Sequence, residues 1–291
     1  MKEKNTFQKA IDASNAQIQL INDNLKKGKL SRVEWFEAIT NANKNLFRAY
    51  ADYRENAKVQ EPIGIILYEN QDIVCLATGF KSSSQNDKTG GMIQTWIIYK
   101  HAKPSDALKM GMDFTVCGNC LHRGNGEGKK RTCYVNLGQG PRAAFDAWQR
   151  GRYAKLDENN IKWFAGRKVR LGSYGDPAFV PVKIWRKVLQ YAENSHTGYT
   201  HQWKVSPQLK DLCMASVDTF EEAMQAWEQG WRTFRLTNGD KQSNEITCPA
   251  SAEMGKRTTC ENCGLCAGAS KKAKSITIAP HGIGAGHFAG A

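Results

Sequence analysis

Seven of the nine cysteines in this 291-residue chain fall into two sets. The first is Cys117, Cys120 and Cys133, with two residues between the first pair and twelve before the third. The second is Cys248, Cys260, Cys263 and Cys266, at intervals of eleven, two and two. Thiolates are soft ligands that select zinc or iron–sulfur clusters in a cell. Cys260-x2-Cys263-x2-Cys266, completed by the distant Cys248, has the close spacing that wraps one face of a four-iron cube. Zinc is the other reading, although tetrahedral zinc more often takes two separate C-x2-C knuckles. An odd cysteine count argues against a disulfide framework. Cys75, in the middle of an apolar run, is expected in the core.

The first set lacks a fourth thiolate. His122 would complete a Cys3His zinc site, and Cys213 is a further choice, although its apolar run predicts burial in a strand. The alternative makes the missing ligand functional. Three cysteines on a four-iron cube leave one iron open to a small molecule, as catalytic zinc keeps an open position. S-adenosylmethionine is a soluble cofactor that uses such an iron.

The elements around these cysteines alternate in period. Residues 1–60 read as an antiparallel helical hairpin: Phe7, Ile11, Ile18, Ile21 and Leu25 recur at helical spacing. Ser31-Arg32-Val33-Glu34 is a capping box opening the second helix, with Trp35, Phe36, Ile39, Leu46 and Phe47 on its buried stripe. Residues 61–109 are a β-rich lead-in, with a hairpin at 63–77 and a third run at 95–99. Over 110–247 strands are expected at 110–116, 168–173, 199–203, 212–217, 232–236 and 245–247. Helices are expected at 141–156, at 181–193 and after the capping box Thr219-Phe220-Glu221-Glu222. Residues 248–291 carry the late cysteines and a last strand at 275–279. This predicts an α/β fold with a parallel (β/α) partial barrel, an N-terminal helical hairpin and a C-terminal cysteine-cluster segment. An open doubly wound sheet is the alternative. Chemistry in such folds sits where strands end. Cys117, then Gly175-Asp176-Pro177, then Ser216 and Asp218, then Cys248 are each expected at a strand end, on one rim.

A three-cysteine loop after the first strand of a β/α part-barrel resembles the radical S-adenosylmethionine superfamily. There the second strand usually ends in Gly-Gly-Glu-Pro, whose acidic residue helps hold the methionine amino group. This chain has Val169-Arg170-Leu171-Gly172-Ser173-Tyr174-Gly175-Asp176-Pro177 in that place, followed by a helix. It departs from the superfamily's C-x3-C-x2-C loop, and Asp replaces Glu. The resemblance implies one or two 4Fe-4S clusters, and S-adenosylmethionine held near Gly175, Asp176, Ser216 and Asp218. Asp218 would be a ribose partner, or simply a helix cap. A redox partner would reduce the cluster, and hydrogen would be abstracted from a substrate. Residues 80–270 also resemble a family of bacteriophage-encoded proteins in Asn86-Asp87-Lys88-Thr89-Gly90, in Cys133-Tyr134, in the Val169–Pro177 stretch and in the late cysteines; that likeness lends no substrate.

Apolar residues make up 41% of the chain, with eight tryptophans, which excludes wholesale disorder. No apolar run reaches the roughly 18 residues of a membrane helix. The N-terminus has no apolar h-region, so the expected location is the cytoplasm, with no membrane partner. A net charge of +13 suits nucleic acid or another anionic substrate, or serves solubility alone. Lys129-Lys130-Arg131 and Lys271-Lys272-Ala273-Lys274 each lie beside a cysteine set. Two further functions therefore stand beside the enzyme: a zinc-stabilised nucleic-acid-binding protein, and an iron–sulfur electron carrier. His201 is expected as a structural histidine at the rim. The glycines of His281-Gly282-Ile283-Gly284-Ala285-Gly286 are not a dinucleotide fingerprint, because no helix is expected after them.

Overall fold

In the computed structural model, which describes residues 2–56, 61–81, 86–124, 130–192, 196–282 and 284–288, the apolar runs pair into one ten-stranded sheet. The Phe7 and Phe47 side chains, and Gly126, Gly128 and Lys129 of the first cysteine loop, lie outside the described residues. Two 25-residue helices come first, α1 (Lys2–Lys26) and α2 (Arg32–Asn56). The capping box between them is made: Glu34 N–H donates to Ser31 Oγ (3.2 Å), and Ser31 N–H donates to Glu34 Oε2 (2.9 Å). Ile11, Leu46, Ala49 and Tyr50 bury against Ala165, beside Tyr191. Phe36 does not join that stripe: it is 64% exposed near the hairpin turn.

Strands β1 (Gly64–Glu69), β2 (Ile73–Thr78) and β3 (Ile93–Tyr99) form an antiparallel meander. β2 is Ile-Val-Cys-Leu-Ala-Thr, buried except at its last residue, as a strand covered on both faces should be. Cys75 lies in it, fully buried as expected. The short β4 (Ala154–Lys155) pairs with β1. From β3 the sheet turns parallel, through β5 (Val169–Tyr174), β6 (His196–Thr200), β7 (Met214–Val217) and β8 (Thr233–Leu236). It ends with β10 (Ser275–Ile278), which inserts between β8 and β9 (Glu245–Thr247), all parallel. Helices α5 (Gly140–Gln149), α6 (Val182–Tyr191) and α7 (Phe220–Glu228) pack on one face. Their Phe145, Trp185, Val188 and Ala223 share a core with Ile97, Leu171 and Ala215. Side chains alternate along a strand. The neighbours Trp96, Arg170, Tyr199, Ser216 and Phe234 therefore face the other way, and all line one cavity. No helix among the described residues is long and apolar enough to cross a membrane.

Three expected elements differ. The helix expected over 141–156 stops at Gln149, where Gly151 (φ +66°) turns the chain, and Ala154–Lys155 is strand β4 instead. Residues 110–116 are not a strand but helical turns: α3 (Pro104–Lys109) and α4 (Phe114–Cys117) lie there, joined through Gly111 at φ +71°. The strand before the first cysteines is thus β3, and Cys117 ends a helical turn. The third expected parallel strand begins earlier, at His196, so Trp203 lies beyond it in the core, 2% exposed.

The end of β5 explains its glycines. Gly172 has φ +66°, and the β3–β5 register slips between Gln94 and Trp96. Buried Thr95 patches the irregularity: its hydroxyl donates to Arg170 O (2.9 Å) and accepts from Gly172 N–H (2.8 Å). A β-carbon on Gly172 would stand 2.6 Å from Gly175 O and 2.8 Å from Pro177 Cδ. Gly172→Ala therefore combines a left-handed backbone with a collision. We expect a loss of about 1–3 kcal/mol, read as a lower urea midpoint at unchanged m. An unchanged midpoint would show that this turn is not strained in the way described.

Candidate metal centres and the cavity between them

The first cysteine loop leaves α4 at Cys117. Gly118 (φ +55°) turns the chain back, so close to Gln202 that a β-carbon would stand 2.8 Å from its amide. Cys133 returns because Thr132 and Cys133 N–H groups both donate to His122 O (3.0 and 2.9 Å). Two anchors hold the loop over the strand ends. Asp176 N–H donates to Val116 O (2.7 Å), and His122 Nε2 lies 2.7 Å from Asp218 Oδ1. The other His122 nitrogen, Nδ1, lies 2.7 Å from Thr132 Oγ1. Both ring nitrogens are thus engaged, and neither is turned to the thiols. Cys213 packs in the main core, fully buried.

The second set is gathered from three places. Cys248 follows β9 and donates its N–H to Thr277 O (2.8 Å). Helix α8 (Cys260–Cys263) is one turn, capped by Thr259 Oγ1 and ended by Gly264 in the left-handed region. Cys260 N–H donates to Lys88 O (2.7 Å), and Cys266 O accepts from Gly198 N–H (3.0 Å). Cys248, Cys260 and Cys266 are buried together with Met92, Met214 and Ile276. Cys266 interacts electrostatically with Cys248, Cys260 and Cys263.

All seven thiols line a single cavity of about 1070 Å³, larger than most single-ligand pockets. Between the sets stand two cations. Arg170 donates to Tyr134 Oη (2.6 Å), lies over the Tyr199 ring (5.5 Å) and is 7% exposed. Burial opposes its charge, but Tyr134, Tyr199, Cys260 and Cys266 hold its pKa above the ordinary value. Lys88 Nζ lies 3.2 Å from His281 Nε2, and burial lowers its pKa against the pull of Cys248, Cys260 and Cys266. His281 stacks on Tyr134, and burial and Lys88 lower its pKa.

The predicted cofactor residues divide. Gly175 (φ +79°) sits where a β-carbon would meet Ile97 O at 2.5 Å, so it is glycine for backbone reasons. Asp176 is buried and fully employed. Its Oδ1 accepts from Thr200 Oγ1 (2.7 Å) and Ala178 N–H (3.0 Å), and its Oδ2 accepts from His201 N–H (2.8 Å). Burial raises its pKa against those three donors. Ser216 opens on the cavity with no partner among the described residues. Asp218 is the anchor of His122. Burial would raise its pKa, but hydrogen bonds from His122 and His201 hold it well below the carboxylate range. Ser31-type reciprocity recurs here in shifted form, for Glu222 Oε2 accepts from Asp218 N–H (3.1 Å) rather than from Thr219. The role of His201 was not legible from sequence: burial lowers its pKa, yet Cys120 and Asp218 raise it well above the usual value.

Ligand atoms of His122, His201 and Asp218 lie within 4.8 Å of one another, a donor set that suits a divalent metal. The short His122–Asp218 bond and the Cys120–His201 contact already use those atoms, which makes the trio a brace for the loop. No trio of thiols meets so closely among the described residues. Four thiolates on one zinc stand roughly 3.8 Å apart, given Zn–S of about 2.3 Å. The thiols also want a cation: burial raises Cys117, Cys133 and Cys248, and pushes Cys266 up to about 12. Bound metal reverses that, deprotonating a coordinating thiol outright. Thr197, 1% exposed and beside Arg170 in register, leaves its hydroxyl without a partner among the described residues, where a cluster sulfur would accept it.

Replacing Asp218 with Ala should release His122 and cost about 1.5–3 kcal/mol, the worth of a hydrogen bond to a charged group. Hydrogen exchange should rise in 117–133 and stay unchanged in α1 and α2; uniform exchange would mean that Asp218 does not anchor this loop. Comparison of the chain with family models, curated proteins and solved structures finds no match, so the reading of these centres rests on their own geometry.

Proposed function

We propose that this is an iron–sulfur enzyme of the radical S-adenosylmethionine type, with its parallel strands forming a partial barrel around the cavity. One observation carries the reading: two cysteine sets open into one cavity, and the first has three thiols and a histidine whose two nitrogens are engaged elsewhere. Cys117, Cys120 and Cys133 would hold one 4Fe-4S cluster, and Cys248, Cys260, Cys263 and Cys266 a second. Bound there, a reduced cluster with an open iron supplies an electron for cleaving S-adenosylmethionine.

The chain's own residues then bind and position. Gly175 and Ser216 offer a backbone turn and a free hydroxyl at the mouths of β5 and β7. Asp176 and Asp218 act as positioning residues, since their carboxylates are held by donors of the chain. Arg170 and Lys88 offset the negative charge of the late thiolates in a poorly hydrated site, where such pairing counts most. Phe234, Ile276 and Ile278 keep water from that side. Nine thiols and the charge pattern support a cytoplasmic location.

Anaerobically purified protein should carry about eight irons with matching sulfide and little zinc. Cys117→Ala should lose about half of that iron, and Cys260→Ala the other half. With a reductant, the wild type should form 5′-deoxyadenosine from S-adenosylmethionine, and Cys117→Ala should form none. Zinc as the sole metal would end the iron–sulfur reading. A protein with both clusters that forms no 5′-deoxyadenosine, with candidate substrates present, would be an electron carrier instead.

A further inference from the structure

The cavity does not stop at the cysteines. It continues over Trp96 and along α5, past Pro141 and Ala147, to Tyr153, Arg150 and Arg152. The fold builds this outer arm with care. Gly140 lets α5 approach Trp96 so closely that a β-carbon would stand 2.5 Å from the indole. The indole N–H donates to Thr78 Oγ1 (2.8 Å), which fixes the ring plane. Tyr153 is likewise wedged: a β-carbon on Gly64 would meet its ring at 2.6 Å.

The charges at this end have no internal use. Arg150 and Arg152 are exposed and flank the Tyr153 hydroxyl, whose pKa burial raises and these two cations draw back. Neither forms an ion pair or side-chain hydrogen bond among the described residues. Of the carboxylates on the cavity wall, Asp176 and Asp218 are engaged, as shown above, and the third, Asp87, is the chain neighbour of Lys88 rather than of this arm. The arm therefore presents two free guanidinium groups, a wedged phenol and an immobilised indole.

From this geometry we propose that the outer arm binds a nucleotide unit: phosphate on Arg150, Arg152 and Tyr153, and the base against Trp96. Guanidinium pairs match phosphate oxygens in bidentate fashion, and aromatic faces accept any base. The proposal names a substrate class for the function proposed above, with the reacting part directed toward the first cysteine set. The nucleotide is either free or one unit of a strand.

The test is equilibrium binding with anaerobically purified protein, without turnover. The probes are a mononucleotide mixture, a single-stranded oligonucleotide and inorganic phosphate. We expect binding of the mononucleotide or the strand that weakens as salt rises. The double variant Arg150→Ala/Arg152→Ala should lower affinity for either roughly tenfold or more, and for the strand should flatten the salt dependence by about one phosphate contact. Lys271→Ala/Lys272→Ala, which removes the same charge from an exposed stretch away from the cavity wall, should leave affinity within about twofold. Tighter binding of the strand identifies a polymer, and equal binding a free nucleotide. No binding of either, or equal losses in both double variants, overturns the proposal. The iron content is measured on the same samples, so failed binding leaves the cluster assignment standing, and failed S-adenosylmethionine cleavage leaves the nucleotide arm standing.

Discussion

Two buried carboxylates at neighbouring strand ends decide where the first cysteine loop lies. Burying a carboxylate is expensive unless donors replace its water. Asp176 solves this with Thr200, Ala178 and the His201 backbone, so it cannot move without breaking the ends of both β5 and β6. Its own N–H then holds Val116, one residue before Cys117. Asp218 solves it with His122, on the far side of Cys120. The loop is thus pinned before and after its first two thiols, and Thr132 and Cys133 are drawn in by the His122 carbonyl. A strand-end carboxylate in a fold of this kind need not touch a cofactor to matter. Here the two together fix the Cys117–Cys120 stretch as a platform over the strand ends.

The electrostatics follow from that platform. Seven half-buried or buried thiols share a cavity with Arg170 and Lys88, and with few free acids. As neutral thiols they leave both cations without an anionic partner, an unfavourable arrangement in a medium of low dielectric constant. As metal-bound thiolates they supply the missing charge, and Tyr199 bonds to Cys266 on the same side. Cation, thiolate and phenol are each costly alone and compatible together. The two cation groups of the cavity wall also divide labour by place, one pair beside the late cysteines and the other at the outer arm.

Much of this was readable in advance, and the failures have physical causes. β5, α6, β7, α7, β8 and β10 lie close to their expected places because period-2 runs alternate with 3.6-period stretches bounded by caps. Residues 110–116 misled because Met-Gly-Met-Asp-Phe-Thr-Val is a short apolar run, which periodicity alone cannot assign to strand or helix. Gly111 in the left-handed region turns the chain, the Asp113 carbonyl accepts from Cys117 N–H within one helical turn, and the buried Asp113 carboxylate is held by Arg123, a partner that the run itself does not contain. β6 was placed late because His196 and Thr197 are polar by type yet buried at 8% and 1%. The cysteine sets were plain from spacing. The His122–Asp218 pair was not: its members are 96 residues apart, and each had a plausible local role. No local pattern encodes a pairing of that range. The irregular β5 end was half legible, since Gly172 and Gly175 announce an unusual turn without saying that Thr95 completes it.

The segment 281–288 shows how the two cysteine sets become one assembly. His281 links to Lys88, beside the late thiols, and stacks on Tyr134, the residue after Cys133. Phe288 stacks near His122 at the other end of the first loop. Between them the chain runs so close that β-carbons on Gly282 and Gly284 would stand 2.9 Å from Tyr134 Cβ and 2.6 Å from the Thr132 carbonyl carbon. Two of the glycines of that run, Gly282 and Gly284, are thus explained by packing: a β-carbon at either would collide with the loop. A loop pinned at its start by two carboxylates is thereby held at its end by this segment, and through His281 the same contact reaches Lys88 beside the late thiols.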